Sequence, residues 1–269
     1  MKKYLCSFAN KAMSKGFSRL QRQAEDLHIF DKAYYYTEAK LNVDFKKKFR
    51  KYLIPFSRGF GYWCWKPQII LQTLDKMKNG DILLYMDLGS HLNINGRERL
   101  QEYFTLTDKS ETGILAFRSP EHIDKKLTKM DVFKYFGVED NTQYTDTMQI
   151  EAGHLFIKKT DFTVSFIKEW LNVIYDDFSL ITDSPSKAKN FKEFKDHRHD
   201  QSIFSILAKK YNVTTLSTDE TYSTDWSTML DFPLLAKRDK VYNNKFYKKH
   251  QQKIGIIYQR LWNLLYDKS

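Results

Sequence analysis

The run Ile82 to Met86, ILLYM, most narrows what this chain can fold into. It has no polar face, and a turn signal at Asn79-Gly80 precedes it, which is the pattern of a strand covered on both sides in a parallel sheet. Upstream, Pro67 suits the first position of a helix, and Ile70, Leu74 and Met77 recur at helical spacing. A helix leading into a doubly covered strand predicts an α/β domain. Asp87 then falls at the carboxyl end of the strand, the edge where open α/β sheets bind ligands. An acid at that place either caps an ordinary turn or holds the ribose hydroxyls of a nucleotide or a divalent cation on its diphosphate.

The residues before the helix tilt this choice. Tyr62, Trp63 and Trp65, set among Gly59, Gly61 and Pro67, offer flat surfaces for a base or sugar ring, and Arg58 and Lys66 add positive charge. The chain opens with a strand, Tyr4 to Ala9, a helix, Arg19 to Leu27, and a second strand, Lys32 to Tyr36, the usual start of a nucleotide-binding half. No GxGxxG follows the first strand, which argues against a nicotinamide or flavin enzyme.

Later segments read as a helix at Arg97 to Phe104, a strand at Gly113 to Phe117 and an amphipathic helix at Ile123 to Phe136 carrying Lys129. In Gln149 to Lys158, Gly153 reads as a turn before the strand His154 to Ile157. Thr160 caps a helix with Phe162, Phe166, Trp170 and Ile174 on one face. The loop Asp183 to Lys195 then runs into HRHDQS, where a cluster of polar side chains precedes the apolar helix positions Ile203, Phe204 and Leu207. Asp200 is there either a helix cap or a working carboxylate.

With 269 residues, 42% of them hydrophobic and 16% aromatic, the chain can bury a substantial core. Its 44 basic and 33 acidic residues give +11, which favours nucleotide diphosphates, phospholipid surfaces or nucleic acid as partners. Cys6 and Cys64 have neither disulfide-framework nor zinc spacing, so a reducing cytoplasm is expected. No window approaches a membrane span, and the N-terminal apolar run is too short for a signal peptide. The basic run Lys46 to Lys51 reads as a solvated helix face or a contact for anionic lipid. In the basic tail from Lys237, the apolar segment Ile254 to Tyr266 predicts a helix that docks on the domain or lies in a membrane interface.

The segments Gly61 to Pro67, Gly80 to Gly89 and Arg198 to Ser202 together resemble the GYWxWKP, GDxxxYxDxG and RHDQS signatures of bacterial GT-A glycosyltransferases that build lipopolysaccharide and capsule. The resemblance runs from the first strand to about Leu216. It implies a GT-A domain over residues 1–236, with a mixed, mainly parallel sheet flanked by helices, and a helical tail over 237–269. It implies transfer, with retention, of a sugar from a UDP- or GDP-linked donor to a lipid-linked or lipopolysaccharide glycan acceptor, at the cytoplasmic side of the inner membrane, and no role for nucleic acid. Carried over residue by residue, it places Ser7, Phe8, Arg58, Tyr62, Trp65, Lys66, Asp87, Gly89 and Lys129 at the donor. Gln149 to Lys158 also looks like the Asn-Ala-Gly strand of glycogenin-like retaining transferases, with Glu151 in place of the Asn, which puts Glu151 and Gly153 at the acceptor side. Asp200, Gln201 and His199 fall at the catalytic centre, with Asp87 facing Asp200; an inverting scheme makes Asp200 or His199 the general base.

Many GT-A enzymes hold Mn²⁺ or Mg²⁺ with Asp-x-Asp, but the second acid here is Gly89. Asp87 then needs His91, His250 or a diphosphate oxygen to complete a metal site, and Lys66, Arg58 and Lys129 are metal-free carriers of the same charge. Two rivals fit less of the chain. A basic nucleic-acid or anionic-polymer binder accounts for the pI of about 9.3 but lacks any recognition motif. A nucleotidyltransferase calls for a Gly-rich phosphate loop, which SFANKAMSKG matches poorly.

Overall fold

The structure, a computed structural model, describes residues 1–55 and 57–240. The predicted tail helix Ile254 to Tyr266 and His250 lie outside the described residues. The strands are β1 (Lys3–Phe8), β2 (Lys32–Tyr36), β3 (Ile82–Met86), β4 (His91–Leu92), β5 (Ile114–Ile123), β6 (Met148–Lys158), β7 (Thr214–Ser217) and β8 (Leu234–Leu235). Six of them form one sheet in the order β2-β1-β3-β6-β5-β7, and β4 pairs with β8 apart from it. The pairs β1-β2, β1-β3 and β5-β7 are parallel, and β6 runs antiparallel to both neighbours. This is the mixed, mainly parallel sheet expected from the sequence, with helices on both faces.

Side-chain alternation builds two cores from one sheet. Tyr4, Cys6, Leu83 and Tyr85 face a cluster with Ile69, Ile70, Trp170 and Phe204, from the helices Trp65–Leu74, Asp161–Asp176 and Asp200–Lys210. Leu5, Ile82, Leu84 and Met86 face the other cluster with Leu20, Leu27, Tyr103 and Phe104, from Phe17–Leu27 and Arg97–Lys109. The apolar run of β3 is therefore buried throughout. Both cysteines are free and buried.

The chain winds from β1 to β2 on one side and then to β3 on the other, so the winding direction reverses at β1. A crevice opens at the carboxyl ends of strands about such a reversal. The antiparallel β6 brings its middle to the same edge: Met86 sits opposite His154, and the Asp87 N–H donates to the Gly153 carbonyl at 2.9 Å.

Two sequence expectations need correction here. Gly153 is not in a turn, because β6 runs unbroken from Met148 to Lys158 with Glu151, Ala152 and Gly153 inside it. Within that strand it faces Asp87: a Cβ there would lie in ordinary contact with Asp87 Oδ2, at 3.4 Å. The expected helix from Ile123 to Phe136 is two short helices, Asp124–Leu127 and Met130–Phe136. Thr128 and Lys129 between them are extended, and Thr128 bonds back to Asp124 at 2.9 Å.

Candidate active site at the carboxyl edge of the sheet

Tyr85 and Asp87 are two residues apart and project to the same side. The Tyr85 hydroxyl donates to Asp87 Oδ1 at 2.5 Å. On that side, Lys66 in the first turn of its helix sends its ammonium between two acids. It lies 2.8 Å from Asp200 Oδ2 and 3.6 Å from Asp87 Oδ1, and it donates to the Ala152 carbonyl at 3.1 Å. Asp87 thus faces Asp200, with one cation joining them.

Burial pushes the Asp200 carboxyl up to about 6; Lys66 opposes that shift and Asp87 adds to it. For Lys66, burial disfavours the charge, but Asp200 and Asp87 outweigh it and hold the ammonium above its ordinary value. Burial also drives the Tyr85 hydroxyl well above its ordinary range, with Asp87 reinforcing the shift. The phenol therefore stays protonated and works as a donor.

Two strained backbone segments flank this group. From Gly59 to Trp63 every residue has positive φ, at 57°, 52°, 91°, 55° and 61°. For Phe60, Tyr62 and Trp63 this costs roughly 1–2 kcal/mol each. A side chain at Gly59 would meet the Trp63 ring at 2.4 Å. Of the three rings expected to offer flat surfaces to a ligand, only Trp63 is left partly exposed. Tyr62 and Trp65 are buried in the core, and Trp65 stacks on Phe8 at 3.9 Å between ring centroids. Ser7 is buried as well.

The second segment is His199, with φ 54° and ψ −124° before the helix Asp200–Lys210. Its ring packs against Tyr62 and Trp63 at 5.4 and 5.2 Å, and Nδ1 donates to the Ile181 carbonyl at 2.7 Å. Burial lowers its pKa to about 4, so the ring is neutral at ordinary pH. No side-chain cap hydrogen bond closes this helix, and the Asp200 carboxylate is turned to Lys66 instead.

Solvent access divides the expected site residues. Asp87 is 40% exposed at its side chain and Glu151 18%, whereas Lys66 and Asp200 are at 4% and 5%. Gln201 is partly exposed; its amide donates to Gln149 Oε1 at 2.8 Å, and its oxygen accepts from the Ala152 N–H at 3.4 Å. Gln149 and Asp124, which sequence reasoning missed, continue this chain inward: the Gln149 amide donates to Asp124 Oδ1 at 2.8 Å, and Lys209 pairs with Asp124 Oδ2 at 2.5 Å. Only an isolated polar residue beside each apolar run hinted at them.

Two expected donor contacts are occupied elsewhere. Lys129 is buried and donates to the Ser179 and Ser184 carbonyls at 2.8 and 3.2 Å, which makes it an anchor for that loop. Arg58 pairs with Asp183 at 2.7 Å on the surface.

Among the described residues the donor set does not suit Mn²⁺ or Mg²⁺. One Asp87 oxygen is already engaged by Tyr85 and Lys66, and Gly89 offers no side chain. The His91 ring has both nitrogens taken, by Gln23 at 3.2 Å and by Asp239 at 2.6 Å. Among the described residues no group of three His, Cys, Asp or Glu side chains could hold a metal ion.

An α/β protein with an ion-paired acid cluster in the crevice of its sheet is the class that fold and site define. No family model matches the sequence, and no curated protein matches it. Solved structures similar to it include a glycosyltransferase involved in glycosylation of the major capsid of PBCV-1, at 10% identity and TM-score 0.49 over 94% of this chain and 100% of that one. Mouse xyloside xylosyltransferase 1 is similar at 12% identity and TM-score 0.43, over 86% and 93% of the two chains. The galactosyltransferase LgtC, in complex with donor and acceptor sugar analogs, is similar at 12% identity and TM-score 0.43, over 92% and 82%.

Proposed function

We propose that the protein is a GT-A glycosyltransferase that moves a sugar from a UDP- or GDP-linked donor to a glycan acceptor of lipopolysaccharide, capsule or a related surface polysaccharide. The observation that carries this reading is the Lys66 ammonium held between Asp87 and Asp200 at the crevice edge, beside Glu151 and Gly153. Glycosyl transfer needs a fixed nucleotide, a neutralised diphosphate and carboxylates near the anomeric carbon. The exposed oxygen of Asp87 takes the donor ribose. Glu151 and Gln201 border the sugar, and Asp200 acts behind them by fixing Lys66.

In the retaining scheme the bond from the anomeric carbon to the phosphate oxygen breaks as the acceptor oxygen bonds to the same face. The acceptor proton passes to the departing phosphate. No helix among the described residues is long and apolar enough to cross a membrane. In the helix Val43–Phe49, Phe45 and Phe49 are buried while Lys47 and Lys48 are exposed, which leaves a basic face for anionic lipid at the cytoplasmic surface.

A hydrolysis and binding screen over UDP- and GDP-sugars tests the donor class, with the anomer of the released product read by NMR. One donor family is expected to be cleaved slowly without acceptor and with retention. Failure of every nucleotide sugar to bind or react would refute the proposal.

A further inference from the structure

Gly89 stands where an Asp-x-Asp site has its second acid, and the backbone fills the space a side chain there would need. A Cβ on Gly89 would lie 3.1 Å from Arg238 Cα and 3.2 Å from the Asp239 carbonyl oxygen. The Asp239 N–H donates to the Gly89 carbonyl at 2.9 Å, and Asp239 also takes the His91 ring, so this contact is pinned on two sides. The segment packed on the turn after Asp87 therefore carries Arg238 and Asp239.

Arg238, at φ 56°, is exposed and lies over the Tyr222 ring at 5.9 Å. A second arginine, Arg198, stands two residues before Asp200. Arg198 precedes the strained His199, its backbone is tied to the Leu127 carbonyl at 3.0 Å, and its Nε is buried without a hydrogen-bond partner. Among the described residues neither arginine forms an ion pair.

Both belong to one neighbourhood: the Arg238 backbone packs on Gly89, two residues beyond Asp87, Arg198 stands two residues before Asp200, and Lys66 joins those two acids. Burial raises the pKa of Glu151, and Arg238, then Arg198 and Lys66, pull it back, while Asp87 pushes it further up. Burial lowers the pKa of His122, whose Nδ1 lies 3.9 Å from Glu151, and both arginines lower it more. Lys66, Arg198 and Arg238 thus act on a cleft that holds Asp87, Asp200 and Glu151. Asp87, Asp200 and Glu151 offset those three charges, so what favours a diphosphate there is the pair of guanidinium forks, which no carboxylate of the described residues occupies.

We propose that Arg198 and Arg238, with Lys66 behind them, form the diphosphate cradle of this site and neutralise the leaving group in place of a divalent metal. The inference rests on the nucleotide-sugar reading above. Guanidinium forks match phosphate oxygens, and a fixed cation acts on the developing charge without a bound ion.

Titration calorimetry of UDP, GDP, inorganic pyrophosphate and the free nucleosides tests this, in EDTA and again with Mn²⁺. Affinity for one diphosphate is expected to be the same in EDTA and Mn²⁺. It should fall about ten- to a hundredfold in Arg198→Ala and in Arg238→Ala, the usual loss for charged hydrogen bonds. The free nucleoside should bind both variants as it binds the wild type. Arg238→Lys, with an unchanged melting temperature, should recover part of the affinity, which separates charge from folding. Binding that vanishes in EDTA and returns with Mn²⁺ would overturn the arginine cradle and leave the donor reading standing. Variants that bind diphosphate like the wild type would overturn it too. Absence of any UDP or GDP binding in either condition would overturn the donor reading and this inference together.

Discussion

Lys66 and Asp200, far apart in sequence, meet as a buried ion pair at 2.8 Å, with side chains only 4% and 5% exposed. Neither charge has water to fall back on. A buried pair contributes little net stability over an apolar pair of the same shape, but breaking it leaves a charge without compensation. Its position under the one half-exposed acid, Asp87, ties the cost to the site rather than to the core.

Lys66→Met should therefore destabilise the protein by about 3–5 kcal/mol at neutral pH, because Asp200 is left buried and unpaired. Adding Asp200→Asn should restore most of that loss. Urea unfolding of the two single variants and the double variant measures the coupling. A Lys66→Met protein as stable as the wild type would show that the pair is solvated in solution.

The raised pKa of Asp200 sets a pH dependence of definite sign. Its native value of about 6 exceeds the ordinary 3.8, because burial outweighs the attraction of Lys66. The native state thus holds the proton more tightly than the unfolded chain. The stability this contributes is complete below the unfolded value and is lost as pH rises through about 6. The shift corresponds to on the order of 3 kcal/mol. Wild type should lose stability relative to Asp200→Asn between pH 4 and 7, and parallel melting curves across that range would refute the assignment.

The fold was legible where burial alone dictated the pattern. The apolar run of β3 has no alternative to two-sided cover, and Asp87 ends it, so the place of that acid at the ligand edge followed from position. The meeting of Asp87 and Asp200 was implied only by the resemblance of the RHDQS segment, because the local pattern of a polar start and an apolar helix left Asp200 as either a cap or a working carboxylate. Other features depended on backbone conformation, which residue types do not announce. Glycines among Tyr and Trp read as an open loop, yet positive φ through Gly59–Trp63 folds the rings inward. Gly153 looked like a turn, whereas it lies inside an unbroken strand and its carbonyl accepts from the Asp87 N–H. Arg238 was hidden in a basic run and is distinguished only by the contact of its backbone with Gly89.

Asp87→Asn bears most directly on the role of the site. Asp87 is 40% exposed, it accepts from the buried Tyr85 hydroxyl at 2.5 Å, and Lys66 stands 3.6 Å away. Asn keeps the shape and one acceptor oxygen, and Lys66 keeps Asp200 as its closer partner at 2.8 Å, so the melting temperature should change little. A ribose hydroxyl bound to a carboxylate gains a charged hydrogen bond, which Asn weakens to a neutral one. The expected loss in affinity for the nucleotide sugar and for its free nucleoside diphosphate is about tenfold. The free base, which makes no ribose contact, should bind as before. If Asp87 were only the cap of its turn, Asn would serve nearly as well and all ligands would bind unchanged. Titration calorimetry on the base, nucleoside and nucleoside diphosphate separates the two roles, and equal affinities in Asp87→Asn and wild type would remove Asp87 from the donor site.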